Sequence, residues 1–163
     1  MSMRAIAREA NVGIATVSRH FPEKSDLFAA IIYDVLDELR RLLEEQLPKL
    51  STDPSNVWST TIHHIVALQL PAITQEILPE LAQSLSGEEM ESLRGELEGA
   101  YTPVLREAAK YGLCSPRLSP LTFHLGIIML SRPLPRPANE KFRHELDELV
   151  EIFIAGLKPP AEN

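Results

Sequence analysis

Residues 2–28 read SMRAIAREANVGIATVSRHFPEKSDLF, and the spacing within this run decides how the chain begins. Ser2 stands where a helix N-cap is wanted, and Ile6, Ala7 and Ala10 then share one helical stripe. Asn11 falls at a turn position that calls for left-handed backbone, which Gly and Asn tolerate best. Val12 is placed to plug the gap between two helices, and Gly13 opens the second of them. In that second helix Ile14, Val17 and Phe21 recur at helical spacing and read as inward-facing. Pro22 cannot sit in a helix interior, so the second helix stops there, and Lys24-Ser25-Asp26 opens a third. Two short helices across a tight turn make a helix-turn-helix, the unit that seats its second helix in a DNA major groove. Ala15, Thr16, Ser18, Arg19 and His20 are left facing outward, where that groove would lie.

The run resembles the tetracycline-repressor-like (TetR) family of transcriptional regulators. Ser2, Ile6, Ala7, Ala10, Val12, Thr16, Val17, His20, Phe21, Lys24 and Leu27 match the family's typed positions without a gap. Asn11 replaces the family's turn Gly, Gly13 replaces its Ser cap, and Ser18 replaces a Tyr that packs on the sugar-phosphate backbone. The resemblance implies phosphate contacts from Ser2, Thr16, His20 and Lys24, and base-edge contacts from Ile14, Ala15, Thr16 and Ser18. Ile14 and Ala15 offer only apolar contact, for instance to a thymine methyl, so hydrogen-bonded readout is thin. Family members carry a further helix ahead of this motif, whereas here Met1 directly precedes it. The expectation is either a start upstream of Met1 or a truncated regulator with an impaired reading head. Coding DNA upstream of Met1 discriminates the two.

The chain has 163 residues and a formal net charge of −7, which suits a polyanion binder only once it is divided along the chain. Residues 1–26 set Arg4, Arg8, Arg19 and Lys24, with His20, against Glu9, Glu23 and Asp26. Most of the acid, including Glu88, Glu89, Glu91, Glu96 and Glu98, lies further on. A weakly basic head on an acidic body orients the molecule on DNA with modest non-specific affinity. No apolar run approaches the ~20 residues of a membrane span and no signal peptide is seen, so no membrane association and a cytoplasmic location are expected. Cys114 is the single cysteine, which rules out an intrachain disulfide and any CxxC motif. His63 and His64 diverge on a helix and His124 is remote, so no metal site and no cofactor are expected. Neither GxSxG, a phosphate-binding loop, GxGxxG nor HExxH occurs, and an enzyme is not expected.

The remainder reads as all-α, an N-terminal helix-turn-helix head joined by a long helix to a C-terminal helical bundle. Residues 1–47 are expected to form the head and connecting helix, and the resemblance implies that residues 48–163 are the ligand-binding and dimerisation part. Leu27, Phe28, Ile31, Ile32, Val35, Leu39, Leu42, Leu43 and Leu47 hold helical period until Pro48. Asp53-Pro54 caps the next helix, which Pro71 should kink or divide, and a further piece spans residues 73–85. Ser86 and Glu89 form a capping box for a helix running through Ala108 and ended by Gly112. Ser119-Pro120 opens a short apolar helix to Leu130; residues 132–137 read as a stiff extended loop, and a last helix spans residues 139–156.

The resemblance further implies a small-molecule pocket enclosed by the middle helices. Its candidate lining is Trp58, Ile62, His63, Ile65, Met90, Leu93, Tyr101 and His124, and its effector a small apolar or amphipathic molecule. The last two helices resemble the family's dimerisation pair, with Phe142, Leu149, Phe153 and Leu157 at or near the seam of a homodimer. Taken together these features imply a ligand-responsive regulator, a repressor by preference, that binds double-stranded DNA at a palindromic operator. A ligand-driven change in the long helix 24–47 would alter half-site spacing. The alternative is a dimeric ligand-binding or protein-interaction module that has lost DNA binding through N-terminal truncation.

Overall fold

Side-chain caps set the helix boundaries along most of the chain. In this computed structural model, which describes residues 2–68, 77, 82–131 and 136–159, the regular elements are all helical. Helix α1 (Met3–Glu9) is capped by Ser2, whose Oγ accepts from the Ala5 N–H at 3.3 Å. Asn11 takes φ 54°, the left-handed turn that its type tolerates, and Gly13 then caps α2 (Ile14–His20). Glu23 and Asp26 exchange side-chain and backbone bonds in a capping box that opens α3 (Lys24–Gln46). Pro48 turns the end of α3 into a 3-10 turn, Leu47–Ser51. Asp53 caps α4 (Pro54–Ala67), and Ser86 with Glu89 opens α5 (Gly87–Lys110). Gly112, at φ 68°, ends the turn after α5, and Ser119 caps α6 (Pro120–Leu130).

Several expectations need correction. Val12 does not plug the helix-turn-helix; it is exposed, as are Ala10 and Ile14, the last with 40% of its surface open. Helices of seven residues extend only ~10 Å, enough to enclose Ala7 and Val17 between them and little more. The C-terminal helix is two helices, α7 (Arg136–Lys141) and α8 (Arg143–Gly156), so residues 136 and 137 are helical rather than extended loop. Between the two, the Phe142 N–H still bonds the Ala138 carbonyl at 2.9 Å, while its own backbone leaves helical values at φ −108°, ψ 26°. Pro71, most of residues 73–85 and residues 132–135 lie outside the described residues.

The main core joins α3, α4, α5, α6 and α8 through Leu39, Trp58, Ile62, Tyr101, Phe123 and Ile154. Its centre is aromatic. Trp58 stacks on Phe123 with centroids 5.6 Å apart, and Tyr101 meets the same ring edge-on at 5.2 Å. Gly126 lets α6 and α8 approach closely, because a Cβ there would come within 2.5 Å of the Phe153 ring. A second, smaller cluster of Phe28, Ile32 and Leu36 gathers Ile6 from the head and Leu93 and Leu97 from α5. Helix α3 therefore has one buried stripe with two neighbours: its first half holds the head, and its second half holds the bundle.

Candidate functional site

In the head, Ala7 and Val17 are the buried contact between α1 and α2, and Ile6 and Phe21 are half-buried. Ile14, Ala15, Thr16, Ser18, Arg19 and His20 are all exposed on α2, so the outward face expected of a reading helix is open to a groove. Ser2 is exposed at the start of α1, with its hydroxyl engaged in the cap. Lys24 begins α3 half-buried, its Nζ lying 4.9 Å over the Phe28 ring. Arg4, Arg8 and Arg19 are exposed on α1 and α2 and supply positive charge around the same surface.

A second site lies in the body. A cleft of about 430 Å³ opens between α3, α5 and α6. Each helix contributes one face at spacing i, i+3, i+4, i+7: Ile32, Val35, Leu36 and Leu39 on α3, and Met90, Leu93, Arg94 and Leu97 on α5. The α6 face is Leu121, His124, Leu125 and Ile128. The walls are thus apolar, with His124 as the polar group on the inner side and Glu91 and Arg94 as the charged pair. Arg94 Nε bonds Glu98 at 2.9 Å, and another of its nitrogens lies 3.9 Å from Glu91. Those two carboxylates hold the Arg94 guanidinium above its usual range, Glu98 chiefly. A space of this size, apolar with few polar groups, has the make-up of a small-molecule site.

The cleft gathers Met90, Leu93 and His124 from the eight residues expected to line a pocket. Tyr101 stands directly behind it, fully buried, with its hydroxyl 3.2 Å from His124 Nδ1. Trp58, Ile62 and Ile65 belong to the packed core instead. His63 is on a different surface of α4, where its Nε2 meets Glu151 of α8 at 2.8 Å and Ser59 bonds the same carboxylate at 3.1 Å. The His63 bond holds the Glu151 carboxyl below its usual range. The α3 contribution was missed from sequence, although α3 carries more apolar positions than a single contact stripe needs.

Of the four residues expected at a seam between copies, Phe142 and Leu149 are exposed. Phe153 is half-buried, its ring 6.1 Å from Phe123, and Leu157 lies in the main core. Next to Leu149 on the open side of α8 is Ile152, 61% exposed, and α6 adds Leu125 and Met129 at 53% and 71%. No group of His, Cys, Asp and Glu among the described residues could hold a metal ion, and no described helix is long and apolar enough to cross a membrane.

Comparison with known proteins fits this anatomy. Residues 1–31 match the family described as bacterial regulatory proteins, tetR family. The fold is similar to the crystal structure of the TetR transcriptional regulator SCO0520 from Streptomyces coelicolor, with a TM-score of 0.65 and 21% identity. That likeness covers 96% of this chain and 86% of the other. No curated protein sequence matches the chain. The class that a helix-turn-helix head of this kind defines is the DNA-binding transcriptional regulator. The chain is TetR-like, in the sequence of its head and in the fold of the whole.

Proposed function

We propose that this chain is a ligand-responsive transcriptional regulator that works as a homodimer and represses by occupying a palindromic operator. The observation that carries this reading is the double duty of α3. Its first turn begins at Lys24, four residues after the end of α2, and its stretch from Ile32 to Leu39 forms one wall of the cleft. A small apolar or amphipathic molecule bound between α3, α5 and α6 with different affinity in two arrangements shifts the balance between them. Because Ile6 of α1 packs against Phe28, Ile32 and Leu36 of α3, and α1 in turn packs on α2, a tilt of α3 reaches α2 through α1. In a dimer such a tilt changes the distance between two reading helices, and an operator of fixed half-site spacing is released.

On DNA, Ser2, Thr16, His20 and Lys24 contact phosphates, and Ile14, Ala15, Thr16 and Ser18 meet base edges. The test is a salt titration of the full chain on DNA flanking its own coding sequence and on random duplex. Lys24→Ala should weaken both complexes alike and lower the salt slope by about one, as loss of a phosphate contact does. Thr16→Ala should weaken mainly the specific complex, by ~1–3 kcal/mol if it touches a base. Equal affinity of the unaltered chain for specific and random DNA would sink the DNA-reading role.

A further inference from the structure

Tyr101 and His124 determine which chemistry the cleft accepts. Tyr101 is fully buried, and the partner of its hydroxyl among the described residues is His124 Nδ1, at 3.2 Å. A buried hydroxyl hydrogen without an acceptor is costly, so that hydrogen is given to Nδ1. An imidazole that accepts at Nδ1 carries its own proton at Nε2. Among the described residues Nε2 has no protein partner, nor is it a buried polar atom left unpaired, as Trp58 Nε1 is. On a ring that lines the cleft, it is a donor open to a guest.

The charged groups near the mouth point the same way. Arg94 is already engaged by Glu98 and Glu91, so a guest carboxylate would meet two acidic neighbours beside one satisfied guanidinium. A guest ammonium ion would lose its hydration against Ile32, Leu36 and Leu93 without a buried counter-charge. We propose that the cleft takes a neutral molecule with an apolar body and one carbonyl or similar acceptor, which His124 Nε2–H anchors while Tyr101 fixes the tautomer as a positioning residue. This rests on the cleft being the effector site. Burial supports it by pushing His124 down to about 4, so the ring is uncharged at neutral pH, and by raising the Tyr101 hydroxyl so that it remains a donor.

The test uses Nile red bound to the full chain and its displacement by menthone, by p-menthane, which lacks the carbonyl, and by a menthane carboxylate. Menthone should displace the dye at roughly three- to tenfold lower concentration than p-menthane, the worth of one net hydrogen bond. The carboxylate should be the weakest of the three. His124→Phe should erase the preference for menthone over p-menthane, and Tyr101→Phe should narrow it. Nitrogen-15 correlation spectra of the unaltered chain, which need no substitution to fold, should show His124 protonated at Nε2. Leu93→Trp, which fills the cleft, should abolish dye binding. If Leu93→Trp leaves dye binding intact, the cleft is not the site and both readings fall. If Leu93→Trp blocks the dye but menthone shows no preference, keeps it in His124→Phe, or loses to the carboxylate, the donor assignment alone is wrong. An Nδ1–H tautomer would overturn it equally.

Discussion

Burial holds the His124 imidazole neutral down to about pH 4, against an ordinary value of 6.5. In the unfolded chain the ring takes up its proton near 6.5, so between these values the unfolded state binds more protons than the folded one. Stability contributed this way is fully present above pH 6.5 and is lost as the pH falls toward 4. Across the whole window the loss is at most about 3 kcal/mol, and less because the ring is partly open to the cleft. Urea midpoints between pH 7 and pH 5 should therefore fall for the unaltered chain and flatten in His124→Phe. Glu91 and Arg94 on the cleft wall, Glu98 bonded to Arg94, and Tyr101 behind the cleft are titratable groups in this neighbourhood. The carboxylates held low by hydrogen bonds, Glu89 and Glu151 among them, release their stabilisation below their ordinary value of 4.5, mostly beneath this window. An identical slope in both proteins would mean that folding leaves the proton affinity of His124 unchanged. His124, Met90 and Leu93, expected from sequence because an apolar bundle interior with a few polar tips suits a ligand, do line the cleft. His63 and Trp58 satisfied the same criterion and lie elsewhere, since one sequence does not tell which neighbour a helix face meets.

Gly126 is where two helices compete for the same space. Replacing an interior helical Gly by Ala ordinarily gains up to ~1 kcal/mol in helix propensity. Here the new methyl would sit 2.5 Å from one Phe153 ring carbon and 2.7 Å from the next, so the ring must move. That ring is wedged beside Phe123, itself stacked on Trp58, and overpacking of such a core costs ~1–3 kcal/mol. The clash outweighs the propensity. Gly126→Ala should lower the thermal midpoint, whereas Gly99→Ala, a helical site with nothing within 4 Å of the new methyl, should hold or raise it. A rise for Gly126→Ala would show that α6 and α8 are free to separate. Caps made the element boundaries legible: Ser2, Asp53, Ser86 and Ser119 each accept from the backbone where their position predicts. Breaks without a cap were not legible. The division of α7 from α8 at Phe142 carries no side-chain signal.

At the scale of the whole molecule, α8 carries two apolar stripes rather than one. Val150, Ile154 and Leu157 are buried in the monomer, while Leu149 and Ile152 are exposed on α8, as Leu125 and Met129 are on α6. The sequence pattern merges these stripes, because residues 149, 150, 153, 154 and 157 all fall within one broad helical face. Of the residues expected near a seam, Phe153 is half-buried beside Phe123 and Leu157 lies in the main core. The division has a consequence for testing the dimer. A charge at Phe153 would be forced against Phe123 and would unfold the monomer, which says nothing about association. Ile152→Glu places the same charge on a side chain already 61% exposed in the single chain, so the fold should tolerate it. If α6 and α8 pair with their copies, that carboxylate is buried unpaired in an apolar interface, at a cost of several kcal/mol per site and twice over by symmetry. Sedimentation velocity should then show the unaltered chain as a dimer and Ile152→Glu as a monomer with unchanged helical circular dichroism. The same variant should lose its preference for a palindrome over a single half-site, because paired half-sites are read only by paired heads. A monomeric unaltered chain at micromolar concentration, or an Ile152→Glu protein that still sediments as a dimer, would remove this face from the interface.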